Sequence, residues 1–201
     1  MKEETRKDGI LVAVCGASRF GKTRWVLERI ARASRLLVWD PRGEYVRPAR
    51  CTLVQSIPVL AAALREHAQS EGRFAYFGPV SDFERFCGLA YTWVQLWPAV
   101  VVLEEAADAT QSGRARYEHG ELIRKGLYYG AHLYAITQRP QETDKTTWGN
   151  ATVKHCHFLD LPIDREYMGA VLGVSPEKIG ELARGQWIEK RVGVPAHIFG
   201  P

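Results

Sequence analysis

Apolar and polar residues alternate along this chain in blocks. Ile10–Cys15 is an unbroken apolar run that ends in a glycine-containing loop, the pattern of a buried parallel strand. Residues 23–35 carry Trp25, Val26, Ile30 and Ala33 at helical spacing, which predicts a helix over that span. A short strand follows at 36–39, stopped by Asp40-Pro41-Arg42-Gly43, a turn on chemical grounds. Further strands are predicted at 52–54, 73–77, 99–103, 133–137 and 155–159, with strand-like segments at 186–189 and at the chain end. Helices are predicted at 59–68, 82–96, 143–149, 164–172 and 176–183. One more runs from the polar stretch 108–116 to about Tyr129, with Gly130 as its cap. Strands interleaved with helices, without linker or repeat, predict one α/β domain over residues 1–201. Its sheet is mostly parallel, with helices on both faces.

Composition narrows the class. The chain has 201 residues, 46% apolar, 25% charged and 10% aromatic, the balance of a globular domain with a core large enough to need no disulfide or metal. No run approaches the ~18 apolar residues of a membrane span. The charged start, Met1-Lys2-Glu3-Glu4, leads into no export-type apolar segment, so a cytosolic protein is expected. Net charge is only +4, but 19 of the 27 basic residues are Arg. That usage suits phosphate recognition and fits a GC-rich genome equally well. Cys15, Cys51, Cys87 and Cys156 form no CxxC pair, which speaks against a disulfide framework or a zinc ribbon. In His155-Cys156-His157 an extended backbone points neighbours to opposite faces, which disfavours a metal site there.

Three constellations carry chemistry. Gly16-Ala17-Ser18-Arg19-Phe20-Gly21-Lys22-Thr23 fits G-x-x-x-x-G-K-[ST], whose glycines let a loop curl so that backbone N–H groups face phosphates. The match arises by chance in about one chain of this length in a hundred; the strand before it and the helix after it are the context the motif requires. Lys22 is then expected to reach the β- and γ-phosphates of ATP and Thr23 to offer its hydroxyl to Mg²⁺. The helix N-terminus, running into Arg24, adds a partial positive charge. Val100-Val101-Val102-Leu103-Glu104-Glu105 is a buried strand ending in two acids. Glu104 is expected to support Mg²⁺ through water, and Glu105 to orient or deprotonate a lytic water, the role that separates an ATPase from a kinase. Ile136-Thr137-Gln138-Arg139-Pro140 ends a further strand, where ligands of open parallel sheets sit, so Gln138 is placed for the γ-phosphate or the water. Trp39-Asp40-Pro41-Arg42-Gly43-Glu44-Tyr45 reads mainly as a turn.

Together these four segments resemble the HerA/FtsK superfamily of P-loop ATPases. Its pattern places a P-loop first and a strand running into D-P-x-G-E-Y second. An hhhhEEA segment and G-x-H-L-x-x-I-T-Q-R-P follow, here at 16–23, 40–45, 100–106 and 130–140. Leu182-Ala183-Arg184-Gly185-Gln186-Trp187 is similar to the family's closing L-x-x-G-x segment. With little chain outside this core, the sequence looks most like the genome-packaging ATPases of tailless, internal-membrane (tectivirus-like) icosahedral viruses. The resemblance implies a RecA-like (ASCE) sheet with extra strands between the P-loop and Walker B strands. It also implies a homo-oligomeric ring, usually a hexamer, that drives double-stranded DNA through its pore on ATP and Mg²⁺. Viral vertex or portal proteins and a virion membrane protein are the implied partners, and the host cytoplasm or the virion's packaging vertex the implied location. Catalysis falls to Lys22, Glu104, Glu105 and Gln138, and Arg124 is the candidate for a positive charge reaching the neighbouring subunit, with Arg73 and Arg139 as rivals. The segment 111–116 is the pore-loop candidate, with Arg114 and Arg116 as sequence-independent phosphate contacts or simply solvated side chains. A filamentous-phage-type assembly ATPase, a small P-loop kinase and a nucleotide switch without turnover stay open beside the packaging motor.

Overall fold

The computed structural model describes residues 9–110 and 112–200. Nine strands among them form one sheet: β1 Ile10–Cys15, β2 Arg35–Trp39, β3 Thr52–Val54, β4 Gly72–Tyr76, β5 Val100–Leu103, β6 His132–Thr137, β7 Val153–Cys156, β8 Trp187–Arg191 and β9 His197–Phe199. Their order is β3-β4-β2-β5-β6-β1-β7-β8-β9, parallel from β3 to β7, with β8 and β9 antiparallel. One strand, β6, lies between β1, which feeds the glycine loop, and β5, which feeds the two acids. The ends of β1, β5, β6 and β2 therefore open on the same rim.

The helices are α1 Lys22–Ile30, α2 Ile57–Glu66, α3 Phe83–Leu96, α4 Ala106–Ala109, α5 Tyr117–Lys125, α6 Lys145–Asn150, α7 Pro162–Leu172 and α8 Pro176–Gly180. Both faces of the sheet are covered, but unequally. Leu37, Trp39, Tyr76, Val101, Leu103 and their row-mates pack against residues of α2, α3, α5, α6, α7 and α8. Val14, Leu36, Val38, Val102 and Ile136, on the other face, meet Trp25, Val26 and Ile30 of α1 and Tyr45, Ala49 and Cys51 of the loop after β2. Each strand is apolar on both sides for this reason.

Several boundaries differ from the sequence expectation. The helix expected to reach residue 35 stops at Ile30, because Arg35 opens β2. Its guanidinium is buried, donates to the carbonyls of His67, Ser70 and Trp93, and lies 3.9 Å over the Trp93 ring. Those tertiary bonds outweigh one more helical turn. The helix expected to run to Tyr129 ends at Lys125 and tightens into one 3-10 turn at Gly126–Tyr128, while Gly130 does take the left-handed conformation (φ +79°). The strand expected at 155–159 lies two residues earlier: β7 pairs with β1 only from Val12↔Val153 to Cys15↔Cys156, where β1 gives way to the glycine loop. The last short helix ends at Gly180 rather than residue 183, and α4 was not expected at all.

Candidate active site

The glycine loop follows directly from β1. Gly16 holds φ +153°, and a Cβ there would stand 2.6 Å from the Cβ of His157, so only glycine fits. Gly21, at φ +111°, caps α1 and leaves the first N–H groups of that helix pointing outward. Arg19 also adopts a left-handed conformation (φ +66°). The Ala17 N–H donates to Phe158 O (2.7 Å), and Phe20 stacks on Phe158 at 4.4 Å, which ties the loop to the segment after β7. Ser18 and Arg24 are exposed, and Arg24 pairs with Glu28 on its own helix (3.1 Å). Lys22 is only 6% exposed and donates to Gly16 O (2.7 Å) and Ala17 O (3.0 Å). Burial draws its pKa below the ordinary lysine value, opposed by the carboxylates of Glu105 and Glu104.

Both acids are buried where β5 ends, Glu104 at 2% and Glu105 at 4% exposure. Glu104 Oε2 accepts from the Tyr45 hydroxyl at 2.6 Å. Tyr45 is itself fixed by Asp40, whose fully buried carboxylate accepts the N–H groups of Glu44 and Tyr45, both at 2.9 Å. The turn motif is thus part of the acid site, a role that turn chemistry alone did not disclose. Burial pushes the Glu104 carboxyl up to about 7, with the Tyr45 hydrogen bond opposing. Glu105 occupies left-handed backbone (φ 49°, ψ 51°), which costs a non-glycine residue ~1–2 kcal/mol. The Gln138 amide donates to Glu105 Oε1, and Arg42 Nη1 lies 3.2 Å from that same oxygen. Lys22, Glu104, Glu105 and Gln138 therefore converge on one rim, joined by Tyr45 and Arg42. The buried Glu104 carboxylate and the hydroxyl of the half-buried Thr23, which follows Lys22 in α1, are oxygen donors of the kind a hard divalent cation such as Mg²⁺ takes.

The remaining candidates are engaged in contacts of their own, although Arg139 lines a cavity together with Gln138, Ala17 and Ser18. Arg124 pairs with Glu121 on its own helix (3.4 Å) and packs over Gly120. Arg139 is bound by Asp164 (3.0 Å) and Glu142 (2.6 Å). Arg73 spends its guanidinium on the carbonyls of Ala49 and Ala33. Arg114 and Arg116 are exposed on the loop before α5, which is pinned to α6 by Lys145 N–H to Gly113 O (2.7 Å) and Ala115 N–H to Thr146 Oγ1 (3.0 Å). Gln111, the first residue of that segment, lies outside the described residues, as do residues 1–8.

His155 and His157 share one side of their segment and pack under the glycine loop, their Nε2 atoms 3.0 Å apart. His157 Nδ1 faces Gln186 O at 3.0 Å and His155 Nδ1 lies 3.5 Å from Glu189 Oε2, so two neutral rings bring two N–H groups to three contacts. Burial lowers the pKa of His155 to about 4 and of His157 to about 3. Both lie below the ~6.5 of an unfolded imidazole, so the unfolded chain takes up protons where the fold does not. Stability is complete above about pH 7 and lost as pH falls from about 6.5 towards those values, by ~1.4 kcal/mol per unit for each ring. Glu104, whose carboxyl titrates at about 7 in the fold, gains a proton over the same window and opposes this loss. Thermal melts of Glu104→Gln at about pH 7.5 and about pH 5 are therefore expected to show a clear fall in Tm, and equal melting temperatures in that variant would refute a neutral pair.

No family model matches the chain. It is 33% identical over 173 residues to protein P9 of Pseudoalteromonas phage PM2, covering 84% of this chain and 78% of that protein. The genome packaging NTPase B204 of Sulfolobus turreted icosahedral virus 2, in complex with AMPPCP, matches with a TM-score of 0.77 at 14% identity, over 96% of this chain and 97% of that one. VirB4 of Thermoanaerobacter pseudethanolicus matches with a TM-score of 0.60 at 13% identity, over 94% and 88%. At such identities the two structures speak for the fold: a P-loop NTPase sheet.

Proposed function

We propose, since the chain belongs with protein P9 of phage PM2 in one family of HerA/FtsK-type P-loop ATPases, that it hydrolyses ATP to move double-stranded DNA into a viral or prophage particle. One observation carries the reading: Glu105, Gln138 and Lys22 meet beside a glycine loop at the carboxyl rim of the sheet. The loop's N–H groups and the α1 N-terminus hold the phosphates, while Lys22 exchanges its two loop carbonyls for phosphate oxygens. Gln138 orients the water that attacks the γ-phosphorus, Glu105 accepts the proton the water sheds, and the β–γ bridging oxygen leaves with ADP. Mg²⁺, when bound, offsets the phosphate charge, and Thr23 and Glu104 are the residues that would hold it. An acid placed for water rather than for a phosphoryl acceptor favours an ATPase over a kinase.

Ring assembly follows from the same reading. Arg124 supplies charge to the neighbouring subunit of a ring, usually a hexamer, and Arg114 and Arg116 line its pore. Vertex or portal proteins and a virion membrane protein anchor it, in the host cytoplasm or at the packaging vertex. No helix of the described residues is long and apolar enough to cross a membrane. Phosphate release measured with linear duplex DNA, with single strands and without DNA tests the reading: duplex is expected to stimulate turnover several-fold, with a response that weakens as salt rises. Turnover indifferent to all DNA removes the translocase. Phosphate transferred to a nucleoside instead of water identifies a kinase, and ATP binding without release a switch.

A further inference from the structure

One oxygen of the proposed base is already engaged. Glu105 Oε1 faces both the Gln138 amide and the Arg42 guanidinium, 3.2 Å away, a charge-assisted contact that holds the carboxylate where it is. Release of Arg42 frees that oxygen and lets the carboxylate turn towards water. Gln138 directly follows β6, an interior strand of the sheet, and is partly buried. Arg42 differs. Its side chain is 47% exposed, against 6% for that of Glu105, and it rides on a turn whose other residues, Asp40 and Tyr45, are fixed by hydrogen bonds. Glu105, Glu104 and Arg42 itself all act on the Lys22 ammonium, so the guanidinium stands within electrostatic reach of the group expected to hold the phosphates. A γ-phosphate there is a better partner for a planar fork than a single carboxylate oxygen.

We propose that Arg42 is a latch on Glu105, an intramolecular cation that occupies the base until the γ-phosphate of ATP draws the guanidinium across. This rests on the ATPase reading above. Arg42 acts through Glu105, as a positioning residue. The latch frees that carboxylate oxygen only when a triphosphate is in place.

The test compares the wild type with Arg42→Ala and Arg42→Lys, measuring affinity for β,γ-methylene ATP and for ADP, together with DNA-free turnover at saturating ATP. Losing the γ-phosphate contact is expected to weaken the methylene analogue about tenfold while ADP stays within about twofold. DNA-free turnover at saturating ATP is expected to stay within about twofold, because the bound triphosphate has already drawn the guanidinium off Glu105 in the wild type, and Arg42→Lys is expected to recover part of the ATP-over-ADP preference. Parallel weakening of both nucleotides with a lowered Tm would mean a structural residue and overturn the latch. A fall in turnover with both affinities intact would overturn it too, making Arg42 a transition-state group. Unchanged affinities and turnover would defeat the latch alone, whereas a wild-type chain that releases no phosphate would defeat the ATPase reading and the latch with it.

Discussion

Replacing Glu105 by Gln is expected to lower ATP turnover by about 10³-fold while ATP affinity stays within about threefold. The amide keeps the shape of the carboxylate, and its oxygen can still accept from Gln138 and Arg42, the two donors that now meet at Oε1. The left-handed backbone is equally strained for both side chains, so it does not separate the variants. Basicity is what disappears: the amide cannot take the proton that the attacking water must lose. Removing the Glu105 charge relieves a like-charge contact with Glu104 but also takes an anion from Lys22 and Arg42, so the two effects oppose each other and Tm is expected to change by no more than a few degrees. Steady-state phosphate release with duplex DNA, beside calorimetric ATP binding, makes the measurement. Wild-type turnover from Glu105→Gln would mean that another group handles the proton, and binding lost in step with turnover would mean that Glu105 holds nucleotide.

How much of this site could be read from the sequence depends on whether a residue acts locally or through contacts made in three dimensions. The glycine loop was legible because its chemistry is a matter of spacing within eight residues. Glu104 and Glu105 were legible because an apolar run ending in acids marks a strand terminus. Gln138 followed by the same logic, and the register of β6 between β1 and β5 explains why all three ends meet. Arg42 and Tyr45 were not legible as site residues. Their motif has the composition of a good turn, and nothing local says that the Tyr45 hydroxyl crosses to Glu104 or that Arg42 reaches Glu105. His157 shows the same division: alternation along the strand put both histidines on one side, but only the packed fold sets that side against Gly16.

The fold boundaries failed for a related reason. Arg35 sits where helical spacing could continue, and no local rule warns that a cation will be buried beneath Trp93 and bound to three carbonyls. The early stop of β7 is set by its neighbour, since pairing lasts only as long as β1 does. Local chemistry located the elements; partners across the sheet fixed their ends.

Replacing Lys22 by Ala is expected to raise the Kd for ATP by at least about 10²-fold. Charge-assisted hydrogen bonds contribute ~1.5–3 kcal/mol each, and the ammonium has donors for two phosphate oxygens, which gives ~3–6 kcal/mol of lost binding. The ammonium now donates to Gly16 O and Ala17 O, so part of that gain is spent on leaving these carbonyls, and the estimate belongs near its lower end. The same two bonds predict a second effect that needs no nucleotide. Without Lys22 the loop carbonyls lose their donor and Glu104 and Glu105 lose a neighbouring cation, so Tm is expected to fall by a few degrees with the circular dichroism unchanged. Binding and melting thus report on two halves of one exchange, the ammonium on its own loop and the ammonium on phosphate. Titration calorimetry and thermal melts of the same preparation separate them. Undiminished ATP affinity in Lys22→Ala would remove the phosphate half, and with it the site on which Glu105 and Arg42 are proposed to act.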